Sequence, residues 1–351
     1  MSKNVGIVIS SAPSGKLAPA QPVELPTPGE GELLIKIEAA AQNPVDQLQA
    51  DGIFPVASFP ALVGTDAAGT VVSLGPGVAR FAINDRVATM TPLIDAAKYG
   101  TYQQYCVSKA AGTIHLPASL SFDEAATFPL AFYTAAMGVH WLLGVPLPLD
   151  ETGKVAADVG TDEWFLVWGA SSSVGAFAVQ LAKAAGFHVI ATASPANFEY
   201  VKSLGADVVL DYHDRAVSCL YQLDKIQAAA SFSLAYDAIS EGSTTDACIA
   251  SLSSEGGKVI ITLPYSGNAP DSVEVIRVLS GTAYVPEKKE DTAGLTRLWQ
   301  ALVNEGRLKP NPVKASVMPN GLNSIDEGFD LQRKHKVSGQ KLVYHPQETP
   351  V

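Results

Sequence analysis

The spacing of apolar and polar positions changes along this chain, and the changes divide it. Residues 164–168 (WFLVW) form a continuous apolar run of strand length that breaks at Gly169 into Ser171, Ser172 and Ser173, residue types that cap helix N-termini. Val174, Phe177, Ala178, Leu181, Ala182 and Ala185 then recur at helical spacing, with Gln180 and Lys183 on the other face, until Gly186 supplies a stop. Strand-forming residues resume over 187–193. The alternation continues with a helix carrying Phe198, Val201 and Leu204 up to Gly205, a strand over 208–210, and a helix over 216–230. A strand over 233–239, a helix over 244–252, a strand over 258–263 and one more over 282–285 follow. Strands and helices taking turns, with connections short enough for crossovers, predict a doubly wound parallel sheet covered on both faces.

The first 128 residues have a different texture. Strand candidates at 5–10, 32–41, 67–74 and 85–90 are separated by Pro, Gly and Asn, with little sustained helical period. The segment GTDAAGTVVSLGPGV (64–78) sets glycines among small and β-branched residues, as a tightly curved, barrel-like sheet requires. Residues 122–143 turn helical with closely packing alanines, and 150–163 are a polar surface loop. After a helix over 292–306, the tail from Leu308 regains Pro and strand character. The predicted domains are therefore a β-rich unit from residues 1–128 and 309–351, and an α/β unit from 129–308.

Composition narrows the functions. The chain has 351 residues, 47% of them hydrophobic, enough for two domains with real cores. Its net charge of −11 argues against a general polyanion or membrane-surface binder, so no nucleic acid and no membrane partner is expected. Cys106, Cys219 and Cys248 are odd in number and far apart, which offers neither a disulfide framework nor a CxxC clip. The N-terminal apolar run is too short for a signal peptide, and a cytoplasmic location is expected. The six histidines show no ligand-like pairing, so no metal is expected, and His188 is expected to be a core residue of its strand.

The serine turn holds the chemistry. A strand feeding a helix through a small turn presents backbone N–H groups and the positive end of the helix dipole to a phosphate. The dinucleotide fingerprint uses three glycines, whereas the aligned run here is Ala170, Ser172 and Gly175, so only the last survives. Two readings follow: a phosphate cradle with Ser171, Ser172 and Ser173 hydroxyls beside the N–H groups of Val174 and Gly175, or a plain capped turn. An NAD site places a carboxylate about 20 residues on, to hold the ribose 2′-OH. Here stand Thr192, Ala193, Ser194, Pro195, Ala196 and Asn197, with no carboxylate before Glu199. A 2′-phosphate would meet no repulsion, Ser194 and Asn197 can donate to it, and Lys202 supplies charge unless it is simply a solvated helix lysine. NADPH is favoured over NADH.

Several segments in order carry a resemblance: AAQNPVDQ (40–47), GTDAAGTVVSLGPGV, NDRV (84–87), GTYQQY (100–105), FPLAFYTA (128–135), GASSSVGAFAVQLAK (169–183), SLGADVVLDY (203–212), YDAIS (236–240), GGKVI (256–260) and SGQKLV (338–343). Together they resemble the medium-chain dehydrogenase/reductase superfamily in its zinc-free quinone oxidoreductase and enoyl reductase branch. The chain is most similar in flavour to fungal trans-acting enoyl reductases. The resemblance implies a GroES-like barrel domain joined to a Rossmann domain. Where zinc-dependent members carry a Cys and a His, this chain has Pro44, Val45 and Asp46 in one stretch and Thr65 and Asp66 in the other.

The resemblance also assigns residues. Asn43, Pro44, Val45 and Asp46 would lie along the nicotinamide, with Thr134 near its ribose; Asn43 and Thr134 are the catalytic candidates, and Asp46 reads as structural. Ser171 to Val174 would hold the pyrophosphate. Ser194, Pro195, Ala196, Asn197 and Lys202, with Tyr212, would form the 2′-phosphate and adenosine subsite. Leu263, Pro264, Leu342 and Val343 would offer backbone groups to the nicotinamide end. Ala135, Ala136, Met137, Gly138, Val139, His140, Trp141 and Leu142 would border the substrate. Asn84 replaces a usual Gly, and Asn tolerates positive φ. In NPVDQLQ the segment lacks the strong acid that relatives place near substrate oxygen, so the source of the proton stays open.

The activity implied is hydride transfer from NADPH to the β-carbon of an α,β-unsaturated carbonyl or enoyl substrate. Quinone reduction and a non-catalytic NADPH-binding role are the alternatives. Monomer or homodimer are both open, with dimers in relatives formed through an edge strand matched to residues 282–285.

Overall fold

The computed structural model describes residues 4–92, 96–156, 161–213, 232–313 and 317–350. The chain divides into two compact units, Met1–Leu130 with Gly281–Val351, and Ala131–Ser280. In chain order the first unit opens with β1 (Asn4–Gly6), β2 (Gln21–Val23), β3 (Glu32–Ala41), α1 (Pro44–Ala50), β4 (Asp66–Leu74), β5 (Arg86–Met90), α2 (Ala96–Tyr99), β6 (Tyr105–Lys109), β7 (Thr113–His115) and α3 (Phe122–Ala126). The helix α4 (Pro129–Ala136) leads to β8 (Trp164–Trp168), α5 (Ser173–Ala184), β9 (His188–Ala193), α6 (Phe198–Ser203), β10 (Val208–Asp211), β11 (Leu234–Asp237), α7 (Thr244–Ser251), β12 (Gly257–Ile261) and β13 (Val273–Arg277). The chain closes with α8 (Lys289–Asn304), α9 (Ile325–Arg333) and β14 (Val343–Tyr344).

The first unit is built on an antiparallel sheet of order β14-β3-β4-β5-β7, with β6 also pairing β3. The ten residues of β3 are long enough to pair β6 at one end and β14 at the other. Ile35, Ile37, Val71, Val87 and Phe329 pack in its core. Register shifts in β3 against β4 bend the sheet near Gly69. A Cβ on Gly69 would lie 2.0 Å from the Lys36 carbonyl oxygen, so only glycine lets the strands approach this closely. Asn84 adopts φ 75°, as its side chain permits.

The second unit is an all-parallel sheet of order β10-β9-β8-β11-β12-β13. This is the Rossmann order, whose reversal falls between β8 and β11. The periodic reading places β8 and α5 within a residue, and β9 to β12 within two. Its helix over 216–230 falls outside the described residues.

Three expectations change. Residues 281–308 return to the first unit, at Gly281 rather than at 309. The cause is α8, whose Leu295, Leu298, Trp299 and Leu302 are buried and whose Gln300 exchanges hydrogen bonds with the backbone of His115, at 2.8 and 3.0 Å. Residues 282–285 are not a strand: Ser280–Tyr284 is a 3₁₀ turn, and the edge strand is β13, supplied by the alternating VEVIR. His188 is exposed at the first position of β9, its ring 5.0 Å from that of Trp164, because the first residue of a strand lies outside the covering helices.

Substituting Gly69 with Ala forces a Cβ into the Lys36 carbonyl, and a loss of about 1–3 kcal/mol in urea unfolding is expected.

Candidate functional site

The carboxyl ends of the parallel strands gather most of the residues singled out in the second unit. After β8 the chain turns at Gly169, with φ 72°, where a Cβ would strike the Ile239 side chain at 2.3 Å. The Gly169 N–H donates to Thr192 Oγ1 (3.0 Å) and the Ala170 N–H to the Thr192 carbonyl (2.9 Å), which pins the turn to the end of β9. Ser172 is the N-cap of α5 and accepts the Gly175 N–H at 3.1 Å. That leaves the N–H groups of Ser173 and Val174 at the helix terminus, where the dipole is positive. A Cβ on Gly175 would lie 2.3 Å from the Gly169 carbonyl oxygen, so the surviving fingerprint glycine sets the close packing of helix on turn.

Ser194, Pro195, Ala196 and Asn197 follow β9, and Asn197 donates to Ser194 Oγ at 3.0 Å. Lys202 stands on α6 and pairs with Glu199 at 3.0 Å, on the surface. Tyr212 follows β10 with its ring exposed and 4.1 Å from the His213 ring. Leu263 and Pro264 follow β12, and the preceding Thr262 N–H donates to Ser240 Oγ at 2.8 Å.

The residue that organises this edge was quoted in the sequence without a role. Asp237, 0% exposed at the end of β11, accepts the N–H groups of Ile239 (3.1 Å) and Ser240 (2.8 Å) and the hydroxyls of Thr244 and Thr245 (both 2.8 Å). It fixes the loop that meets Gly169 and carries Ser240.

Thr134, Ala135 and Ala136 end α4, and Met137–Leu142 continue as a π-helical turn, a form that recurs at functional sites. Tyr236 Oη donates to the Thr134 carbonyl at 2.9 Å, and a Cβ on Gly138 would meet the Tyr236 ring at 2.4 Å. Met137, Val139 and His140 are buried, while Trp141 and Leu142 are half-buried. His140 Nδ1 donates to the Val145 carbonyl at 2.9 Å; burial holds the imidazole down at about 4, so it is neutral, and Nε2 has no partner among the described residues.

In the first unit, β14 pairs on β3 with Val343 opposite Ala41, and the Gln42 N–H donates to the Leu342 carbonyl at 2.9 Å, just ahead of Asn43, Pro44, Val45 and Asp46. Pro44 opens α1, where its missing N–H costs nothing. Sequence reasoning missed what lies beneath. Lys341, 2% exposed, donates to Asp66 Oδ2 (2.6 Å), Asn43 Oδ1 (2.9 Å) and the Thr127 carbonyl (3.4 Å). Asn43 Nδ2 donates to Asp66 Oδ2 (2.9 Å) and Thr65 Oγ1 (3.1 Å), and the Leu130 N–H donates to Asp66 Oδ1 (2.7 Å). Asn43 thus spends both amide hydrogens within the protein.

Asp46 lies alongside with 0% exposure. Its Oδ2 accepts the Asn43 N–H and the Tyr102 hydroxyl, each at 2.7 Å, and burial raises its carboxyl to about 7 despite those bonds. Among the described residues no group of three or more His, Cys, Asp or Glu is placed to hold a metal ion. Nor is any helix there long and apolar enough to cross a membrane.

Residues 29–118 match the alcohol dehydrogenase GroES-like domain family, and residues 173–283 the zinc-binding dehydrogenase family. Trans-enoyl reductase caaB of Aspergillus niger is 33% identical over 98% of this chain and 97% of its own length. The chain belongs to the medium-chain dehydrogenase/reductase family. Within that family, trans-enoyl reductase tazE of Aspergillus terreus is 43% identical over 58% of this chain and 67% of its own. Among solved medium-chain folds, an alcohol dehydrogenase superfamily protein from Novosphingobium aromaticivorans superposes with a TM-score of 0.80 at 26% identity, covering 97% of this chain and 99% of that one. The family's two-part architecture, a GroES-like sheet and a Rossmann sheet, is the one described above. Membership makes the chain an oxidoreductase of a family that uses a nicotinamide cofactor.

Replacing Lys341 with Met strands the Asp66 carboxylate without its cation; a loss of about 3–5 kcal/mol in chemical unfolding is expected, with much of it recovered in the Asp66→Asn, Lys341→Met pair.

Proposed function

We propose that this chain is an NADPH-dependent, zinc-independent reductase that delivers hydride to the β-carbon of an α,β-unsaturated carbonyl or enoyl substrate. The substrate class is taken from the relatives, which are named trans-enoyl reductases. The observation that carries the cofactor choice is the end of β9. It holds two side chains able to donate, Ser194 and Asn197, with a lysine one helical turn on and no carboxylate before Glu199.

The fit of the cofactor rests on the donor set and on close packing. Ser173 and Val174 at the start of α5, held by the Gly169 turn and the Gly175 contact, suit a pyrophosphate, and the exposed Tyr212 ring suits an adenine face. When bound, the cofactor supplies the hydride. The residues then have positioning and electrostatic work rather than bond-making work. Asn43 to Asp46, with the Leu342 and Val343 backbone, are the segments assigned to the nicotinamide end. The Asn43 side chain takes part as a fixed element, since its hydrogens are committed to Asp66 and Thr65. Met137 to Leu142 border the acyl group in this reading, and the neutral His140 keeps charge away from an apolar chain.

The direct test is NADPH oxidation against a 2-enoyl thioester series with a quinone panel alongside. Turnover of the thioesters is expected. Turnover of quinones alone moves the chain to the quinone reductases, and NADPH binding with no turnover on either panel moves it to a binding role.

Ser194→Ala and Lys202→Ala should each weaken NADPH by roughly tenfold while leaving NADH nearly unchanged, as titrated by cofactor fluorescence. Equal losses for the two cofactors would place the 2′-phosphate elsewhere.

A further inference from the structure

We propose that Asp46 works as a neutral carboxylic acid, its proton on Oδ1, and that in this form it is the positioning residue that holds Asn43 in place. The proposal follows from a count of donors and charges in one buried cluster. Asp46, Asp66, Asn43 and Lys341 are 0%, 0%, 3% and 2% exposed. The cluster therefore holds two carboxyl groups and one ammonium, with both carboxyl groups fully closed to water.

The donors are distributed unequally. The oxygens of Asp66 accept three N–H groups, from Lys341, Asn43 and Leu130, at 2.6, 2.9 and 2.7 Å. All three of the hydrogens that Lys341 can offer are used, on Asp66, Asn43 and Thr127. Asp66 is thus the anion that the ammonium neutralises. Asp46 receives two donors on Oδ2 and none on Oδ1, which is buried and has no partner among the described residues. A second anion with one oxygen bare and no cation left is the arrangement proteins avoid; a proton on that oxygen removes the charge.

The other groups facing Asp46 agree with this assignment. From β4, the Asp66 carboxylate pushes its proton affinity up, while Lys341 pulls it down. The Tyr102 hydroxyl donates to it, and Tyr102 and Tyr344 have their own ionisation pushed well up by burial and by Asp46, so both stay neutral. Glu327 on α9 acts on Tyr344 in the same direction. Lys341 is the cation among the largest influences on Asp46, and its hydrogens are already spent.

The consequence falls on Asn43. Its N–H is anchored by Asp46 Oδ2, and its side chain is held by Lys341 and Asp66. An ionised Asp46 must draw a donor to Oδ1, and the donors within its cluster are the ones now holding Asp66. Either exchange turns the Asn43 side chain. The effect on cofactor rests on the reading above that Asn43 lines the nicotinamide end; the protonation state and the hold on Asn43 do not.

The test compares wild type with Asp46→Asn, whose amide oxygen keeps both accepted bonds and which cannot ionise. The unfolded Asp46 titrates near its ordinary 3.8 and the folded one near 7, so the folded state binds the extra proton between those values. Its stability contribution is full below the lower value and is lost as pH rises through about 7. The melting temperature of the wild type relative to Asp46→Asn should therefore fall across that window and level off above it. Over the same titration, the Asn43 side-chain amide resonances should move in the wild type and stay fixed in Asp46→Asn. Tyr102→Phe, which removes a donor that favours the carboxylate, should shift both transitions to higher pH. A flat difference in melting temperature overturns the neutral acid, and a melting transition with still Asn43 resonances overturns the positioning role.

NADPH affinity separates this from the functional reading. The ratio of wild-type to Asp46→Asn dissociation constants should rise by up to about tenfold per pH unit above the transition, one proton being linked. The expected melting and resonance changes with no NADPH binding to either protein would uphold the proposal and remove the cofactor assignment instead.

Discussion

The ammonium of Lys341 is the constraint on which the first unit turns. It meets side chains 298 and 275 residues away, Asn43 and Asp66, and a carbonyl 214 residues away, that of Thr127. Three segments that the chain order keeps apart are joined at one atom: the start of α1, the start of β4, and the link between α3 and α4. Burying an ammonium is costly, and only a complete set of acceptors offsets it. That completeness makes the cluster specific, because no other register of β14 on β3 would deliver Lys341 to all three partners. The Leu342 and Val343 backbone inherits its position from the same pairing.

A second buried carboxylate shows how far the surroundings decide. Glu32 is 2% exposed, close to Asp46 in burial, and burial alone would raise its affinity for a proton. Lys109 and Lys98 reach it at 2.6 and 2.8 Å, Tyr99 and the Gly29 N–H add donors, and its carboxyl is held at about 2 instead. Glu32 has two cations to itself. Asp46 shares one with Asp66, and the share falls to Asp66. The same side-chain chemistry, closed to solvent in both places, gives an anion at the start of β3, where two half-exposed lysines cover it, and a neutral acid in the deeper setting at the start of α1.

What the sequence made legible was whatever is local. The run from Trp164 to Ala185 could be placed within a residue because period, cap and stop all lie inside one strand and one helix. Lys341 was not legible, since its meaning lies in partners hundreds of residues away and its neighbours Leu342 and Val343 read simply as a closing strand. The only local hint is a lysine at the head of a short apolar run, after Ser338, Gly339 and Gln340, and that is equally the look of a snorkelling surface residue. Residues 282–285 misled for the opposite reason: TAYV has strand-forming side chains, but the next strand slot in the sheet was already taken by residues 273–277. Similarly, α8 was given to the wrong unit because a helix after a βα series continues the pattern, whereas its Gln300 and Thr296 bond the backbone around β7.

The turn after β8, proposed above to hold the pyrophosphate, shows why counting glycines understates such a turn. Of the three fingerprint positions only Gly175 keeps glycine, yet the two geometric demands on glycine are both met, at Gly169 for positive φ and at Gly175 for helix packing. The position that changed most is Ser172, where glycine would ordinarily clear the way to the helix terminus. Its hydroxyl folds back onto the Gly175 N–H as the helix cap. The side chain is drawn into the first turn of α5, and the strand-end face of the turn is left to backbone N–H groups and to Ser171 and Ser173. A serine in the capping rotamer therefore does the steric work of a glycine at one hydrogen bond's cost in donors, and the motif is degenerate in letters while its geometry is kept.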